Sequence, residues 1–158
     1  MNIKVSKILD APSKNRLDEF ENSNRVKLTN KFISFINNYN GAIVEGFRIN
    51  VNHQERLIER FLCILDDYQS HDRGEYDISV VITQLEGRMT ANEDLVGAEI
   101  VPFAVVFGGD FLCLDYRSSK ESPNIVLWDH EESDDFCPVT YPVSSENDFF
   151  NLFKLKVR

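Results

Sequence analysis

From Ala98 onward the chain reads as four short apolar runs, AEIVPFAVVF, GGDFLCLDY, NIVLWDH and PVTYPV, separated by turn-forming residues. Runs of this length, rich in Val, Ile, Phe and Tyr, are strand-like. The links between them are too short for a crossover, so neighbouring strands must run antiparallel. Gly108-Gly109 supplies a tight hairpin turn between the first two, and RSSKESPN forms a polar loop between the second and third. An antiparallel meander over the last third of the chain is the strongest constraint on the fold.

The residues before it have helical texture. Leu28, Phe32, Phe35, Ile36 and Tyr39 lie on one face of a helix, which ends at YNGA, where Asn40 and Gly41 tolerate left-handed backbone. Arg16–Glu21 reads as a shorter helix with Leu17 and Phe20 inward. Ile78, Val81, Ile82, Leu85 and Met89 give another helical stripe. Gly46–Val51 is a strand candidate and NHQE a turn. RLIERFLCILDDY is ambiguous: its period fits a helix, but its apolar run also fits a buried strand over residues 56–65. SSENDFFNLFKL opens with Ser145 three residues before Asp148, an N-cap pattern. The expected architecture is α+β, with helices packed on one face of an antiparallel sheet. With 158 residues, the whole chain (1–158) is read as one domain, and the polar first 15 residues are expected to fray in part. Twelve Phe point to a Phe-rich core.

Charge narrows the partners. The formal net charge of −9 opposes approach to nucleic acid or an anionic membrane and attracts a basic partner. No apolar run reaches membrane-spanning length, and MNIKVSKILDAPSKNRLDEF lacks the apolar core of a secretion signal. The three Cys, at 63, 113 and 137, have no CxxC spacing, which suits a reducing compartment. Cys63 and Cys113 sit in apolar runs and read as buried and inert. The expected location is the cytoplasm.

Reactive side chains concentrate in IVLWDHEESDDFCP, Ile125–Pro138, which holds a Trp, a His, a Cys and five carboxylates. HEESD starts like H-E-x-x-H but has Asp134 where the second His belongs. A zinc deaminase needs P-C-x-x-C after its H-x-E, and a calcium loop needs a central Gly; neither is present. Cys137 with His130 is a possible nucleophile–base pair without a third partner. FGGD lacks the remainder of a phosphate-binding loop. These readings assign no catalytic residue, cofactor or metal. An interaction surface survives: aromatic residues Tyr116, Trp128, Phe136 and Tyr141 among acids suit a basic protein. Trp128 itself reads as core, since Ile125, Val126 and Leu127 precede it. The candidate partner-binding residues are Tyr116, Asp129, His130, Glu131, Glu132, Asp134 and Asp135.

FISFINNYNGA, LVGAEIVPFAVVFGGDFLCLDYRSS, NIVLWDHEE and DFFNLFKL, in that order, resemble the SUKH superfamily of Smi/Knr-type proteins. The matching pattern is a helix ending in Tyr-Asn-Gly-Gly, an Ile-Pro-Phe-Ala strand, a Gly-Gly hairpin leading to Cys-Leu-Asp, a Trp-Asp-His-Glu strand end and a Phe-rich terminal helix. It falls here on Tyr39–Ala42, Val101–Ala104, Gly108–Asp115 and Trp128–Glu131. Ala42 replaces the second Gly, Val101 the Ile, and Thr29 a common Pro. The resemblance implies a curved, mostly antiparallel sheet flanked by helices, with a short strand around Glu59–Leu65 in place of the helix that periodicity favours. It also implies a non-enzymatic role. Bacterial relatives of this type are immunity proteins that bind a cognate toxin of contact-dependent or polymorphic systems in the cytoplasm; many such toxins are nucleases or deaminases. Fungal relatives are regulatory scaffolds in cell-wall signalling.

Overall fold

The computed structural model describes residues 3–153, with Glu86 described by its backbone alone. In chain order the elements are β1 (Lys4–Ser6), α1 (Lys14–Asn24), α2 (Asn30–Tyr39), β2 (Ile43–Val51), β3 (Gln54–Phe61), α3 (Ile78–Leu85), β4 (Ile100–Val106), β5 (Asp110–Asp115), β6 (Asn124–Trp128), β7 (Thr140–Ser145) and α4 (Glu146–Phe150). A 3-10 turn, Glu86–Met89, continues α3. The seven strands form one sheet in sequence order, every neighbouring pair antiparallel. Its edges are β1 and β7. Residues of β2 and β7 nevertheless come within 8 Å of one another, so the sheet is strongly curved.

Local chemistry sets the element ends. Ser13, Thr29 and Ser145 cap α1, α2 and α4, each side chain accepting from the amide three residues on. The β2–β3 turn is Asn52-His53, both at positive φ (50° and 64°), a backbone twist that matches a two-residue hairpin. Gly108 and Gly109 have φ near 100°, which a side chain would strain; they let β4 fold back on β5 with Val106 opposite Asp110.

Alternation along β4–β6 sends side chains to two faces. On the concave face Val101, Phe103, Leu112, Leu114, Ile125 and Leu127 join the main core. There Phe35 sits at the centre of a cluster of rings, with centroids 4.7 Å from Phe150, 4.8 Å from Phe61 and 5.3 Å from Phe153. Tilted and edge-on pairs of this kind add to plain apolar burial. On the convex face Ile100, Cys113, Val126 and Trp128 pack with Met89. The expectation of helices on one face is therefore corrected. The end of α3 and its 3-10 extension seal the second face, because β4–β6 are apolar on both sides and neither side can be left wet.

The helical period over residues 56–65 is a further correction. Gln54–Phe61 form a strand, which shares only Glu59–Phe61 with the Glu59–Leu65 strand that the resemblance implied and takes in Gln54 and Glu55 of the expected NHQE turn. The apolar positions continue into a buried run, Phe61–Leu65, and such a run accommodates a strand although its spacing favours a helix. Part of the polar N-terminal stretch is tied to the sheet and its loops. Lys4–Ser6 pair with Ile43–Glu45, the Leu9 amide donates to the Asn40 carbonyl, and the Ser13 amide donates to Asp66. The Asn40 side chain, fully buried, completes this seam by donating to the carbonyls of Asp10 and Ile64 and accepting from the Ile64 amide. Arg16 is also buried. Its guanidinium donates to the Leu65 carbonyl at 2.7 Å and lies 3.2 Å from Asp77, whose carboxylate also accepts from the amides of Leu65 and Ser79.

Glu146 opens α4, buried at 9% exposure, with Oε2 lacking a hydrogen-bond partner among the described residues. Burial pushes this carboxyl up, against the Thr29 hydrogen bond and the Lys31 charge. A carboxyl raised on folding is neutral at little cost below its ordinary value of 4.5, and it subtracts stability as pH rises above that value. Glu146→Gln is therefore expected to raise the Tm by about 2–4 °C at pH 7. Thermal melts at pH 3.5 should show the two proteins alike.

Candidate functional site

Because the strands alternate in direction, the β2–β3, β4–β5 and β6–β7 connections all leave the sheet at the same end. They carry Asn52-His53, Phe107–Gly109 and the long segment 129–139. The last contains Asp129, Glu131, Glu132, Asp134 and Asp135, with no Lys or Arg between 129 and 141.

The acidic segment is built rather than loose. Asp129 Oδ1 accepts from the amides of Glu131 and Glu132, each at 2.9 Å. The Ser133 hydroxyl, buried, accepts from the Val139 amide at 2.8 Å, and Asp134 and Cys137 exchange two backbone hydrogen bonds. Three contacts tie the segment to the turn after α3. The Phe136 amide donates to the Gly87 carbonyl at 2.7 Å, Arg88 donates to the His130 carbonyl, and the Trp128 indole donates to the Arg88 carbonyl at 2.9 Å. Trp128 is fully buried, as the apolar run before it predicts, and the Arg88 guanidinium lies 5.3 Å from its ring centroid.

Beneath the loop, Asp110 gathers three donors. Its Oδ1 accepts from the His130 amide at 2.9 Å and meets His130 Nδ1 at 2.5 Å, while Oδ2 pairs with Arg56. Burial alone would raise this carboxyl; the His130 amide and ring and the Arg56 guanidinium outweigh it and hold the group below the ordinary carboxylate range. Ionised Asp110 offers only acceptors, so Nδ1 carries the ring proton and Nε2 turns outward, 3.9 Å from Glu131. An Asp–His pair of this form can orient a general base. Among the described residues no hydroxyl or thiol is hydrogen-bonded to Nε2, and Cys137 is engaged through its backbone with Asp134. Burial pushes the Cys63 thiol up to about 12 and raises Cys113 as well, which removes both as thiolate nucleophiles at neutral pH. Asp110, Asp129 and His130 lie close enough to hold a cation. Both Asp110 oxygens and Asp129 Oδ1 are already committed, to His130, Arg56 and the loop amides, and the guanidinium would repel the ion.

The sequence-derived site divides in three. Glu131, Glu132, Asp134 and Asp135 are exposed on the loop, and Glu132 accepts from the Tyr141 hydroxyl at 2.7 Å. Asp129 and His130 are half-buried and shape the loop from below. Tyr116 is a correction. It closes β5 at the opposite end of the sheet, 5% exposed, with its hydroxyl donating to the Lys27 carbonyl at 2.9 Å. An aromatic next to charged residues reads as surface in one dimension, but its partner here lies 89 residues away. Sequence reasoning missed Asp110, Arg56 and Arg88. Asp110 and Arg56 meet the loop through strand pairing and Arg88 through the turn after α3, contacts that their neighbours in sequence do not show.

An open, curved antiparallel sheet sealed by helices on both faces, with loops gathered at one end, defines an α+β domain that presents a surface. The SUKH_6 family model, described as SMI1-KNR4 cell-wall, matches residues 14–140, and the chain belongs to this family. Comparison with curated proteins and with solved structures gave no match. Among the described residues no helix is long and apolar enough to cross a membrane.

Proposed function

We propose that this chain is a cytoplasmic, non-enzymatic immunity protein that binds and neutralises a basic toxin of a bacterial contact-dependent or polymorphic toxin system. The observation that carries the reading is the acidic segment 129–135. It presents four exposed carboxylates on a backbone fixed by internal hydrogen bonds and by Trp128, Arg88 and Gly87. A preformed anionic surface loses little entropy on docking, and it steers a cationic partner during diffusion. A nuclease is a fitting target, because its substrate groove is shaped for a row of phosphates that carboxylates can imitate. Among the described residues no hydroxyl or thiol is hydrogen-bonded to the ring of the Asp110–His130 pair, which favours binding over catalysis.

The test is kinetic. The probe is a candidate toxin domain, sought first in the genes that neighbour this one. Replacing Glu131, Glu132, Asp134 and Asp135 with their amides should slow association about 10-fold or more at low salt and flatten its dependence on ionic strength. Stopped-flow traces showing equal rates for the two proteins would remove the acidic loop from the interface. A second reading, a regulatory scaffold of the Smi/Knr type, is favoured by the cell-wall description of the family model. It predicts a housekeeping partner in co-purification in place of a toxin domain.

A further inference from the structure

Phe107 is 65% exposed, the most exposed large apolar side chain among the described residues. It stands at the tip of the β4–β5 hairpin, a turn position that any polar residue could fill without loss to the core. Its backbone is firmly placed. The Phe107 amide donates to the Leu57 carbonyl at 2.8 Å, Val106 before it is fully buried, and a Cβ on Gly109 would sit 3.2 Å from the His130 ring. The hairpin is thereby packed, at Gly109, against His130 of the acidic loop. Phe136, 37% exposed, adds a second ring at the same end of the sheet. Exposed apolar residues are common singly. This one combines a rigid, protruding backbone with carboxylates at its own end of the molecule, the arrangement of an aromatic anchor with a charged rim.

We propose that the β4–β5 tip is the anchor of this protein's partner surface, with Phe107 entering an apolar socket on a basic protein while Glu131, Glu132, Asp134 and Asp135 meet the cations around that socket. The inference rests on the reading of this end as a binding surface, and it does not require the partner to be a toxin. Nucleic acid and anionic membranes do not fit, because the carboxylates at this end of the sheet repel phosphate. The division of labour is specific. The ring acts on how long the complex lasts and the carboxylates on how fast it forms.

The experiment places a photo-reactive phenylalanine analogue in the full chain, in living cells, at 107, at 132, or at 118 in the loop at the far end of the sheet. The protein captured is identified, purified and used as the probe for binding kinetics. The inference expects one basic protein captured from 107 and 132 and not from 118. It also expects Phe107→Ser to weaken binding of that protein about 10- to 100-fold, mainly through faster dissociation that salt does not alter. The thermal melt should stay within about 2 °C, since the ring is outside the core. Capture from 118 alone, no capture at all, or an affinity unchanged by Phe107→Ser overturns it. If the captured protein is not a toxin, the anchor stands and the immunity reading fails. If a toxin is captured and bound equally well without Phe107, the immunity reading stands and the anchor fails.

Discussion

Asp77→Ala is expected to destabilise the protein by about 3–5 kcal/mol, the cost typical of removing one partner from a buried ion pair. Asp77 is fully buried, and its carboxylate lies 3.2 Å from the Arg16 guanidinium. It also accepts from the amides of Leu65 and Ser79, each at 2.8 Å. The alanine variant therefore leaves a guanidinium and two amides short of acceptors in a dry place. Because Arg16 lies on α1, Leu65 follows β3 and Ser79 lies on α3, the loss loosens three elements at once. The control is a double substitution, Arg16→Met with Asp77→Leu, which removes both charges and keeps the volume. It should be less destabilising than Asp77→Ala alone. Urea unfolding of the three proteins measures the order. If Asp77→Ala shifts the midpoint by less than the double variant, the ion pair is not what organises this seam.

Trp128→Ala is expected to cost about 3–5 kcal/mol as well, from the cavity left on the convex face. It should have a second effect that a generic core cavity would not. The indole donates to the Arg88 carbonyl, and Arg88 in turn holds the His130 carbonyl. Trp128→Phe keeps most of the apolar burial and deletes only the indole donor, which should cost about 1–3 kcal/mol. In this milder variant the amides of Glu131, Glu132 and Phe136 should exchange faster with solvent while those of β4 and β5 do not. Hydrogen exchange under native conditions reads this directly. Uniform protection across the loop would show that Trp128 supports the sheet alone.

The meander was legible because each strand is a short apolar run closed by a turn, and because Ser145 and Gly108-Gly109 carry their conformations in their own chemistry. The helix Asn30–Tyr39 was legible for the same local reason. Residues 56–65 were not, since Ile58 and Phe61–Leu65 are apolar at nearly every position and a continuous run has no period. The convex core was equally hidden: Met89 reads as the end of a helical stripe, and nothing in it announces that it covers Trp128. For the site, four of the acids singled out in the sequence, Glu131, Glu132, Asp134 and Asp135, are exposed on a loop. What holds that loop could not be read, because Asp110 meets Arg56 and His130 across 54 and 20 residues of chain. Tyr116 went wrong by the same limit, its hydroxyl being satisfied by Lys27 in a distant turn. Short-range patterns show which residues are polar, and only the register of the sheet shows which of them meet.

The central claim is that this domain neutralises a toxin by binding it through the acidic end of its sheet. The most direct measurement is survival of cells that express a candidate toxin domain found among the neighbouring genes, with or without this protein. Survival is predicted with the natural protein at matched expression. It should fall sharply with the variant in which Glu131, Glu132, Asp134 and Asp135 are amides, although that variant remains folded. Death of the cells despite abundant folded natural protein, or full protection by the amide variant, would contradict the claim.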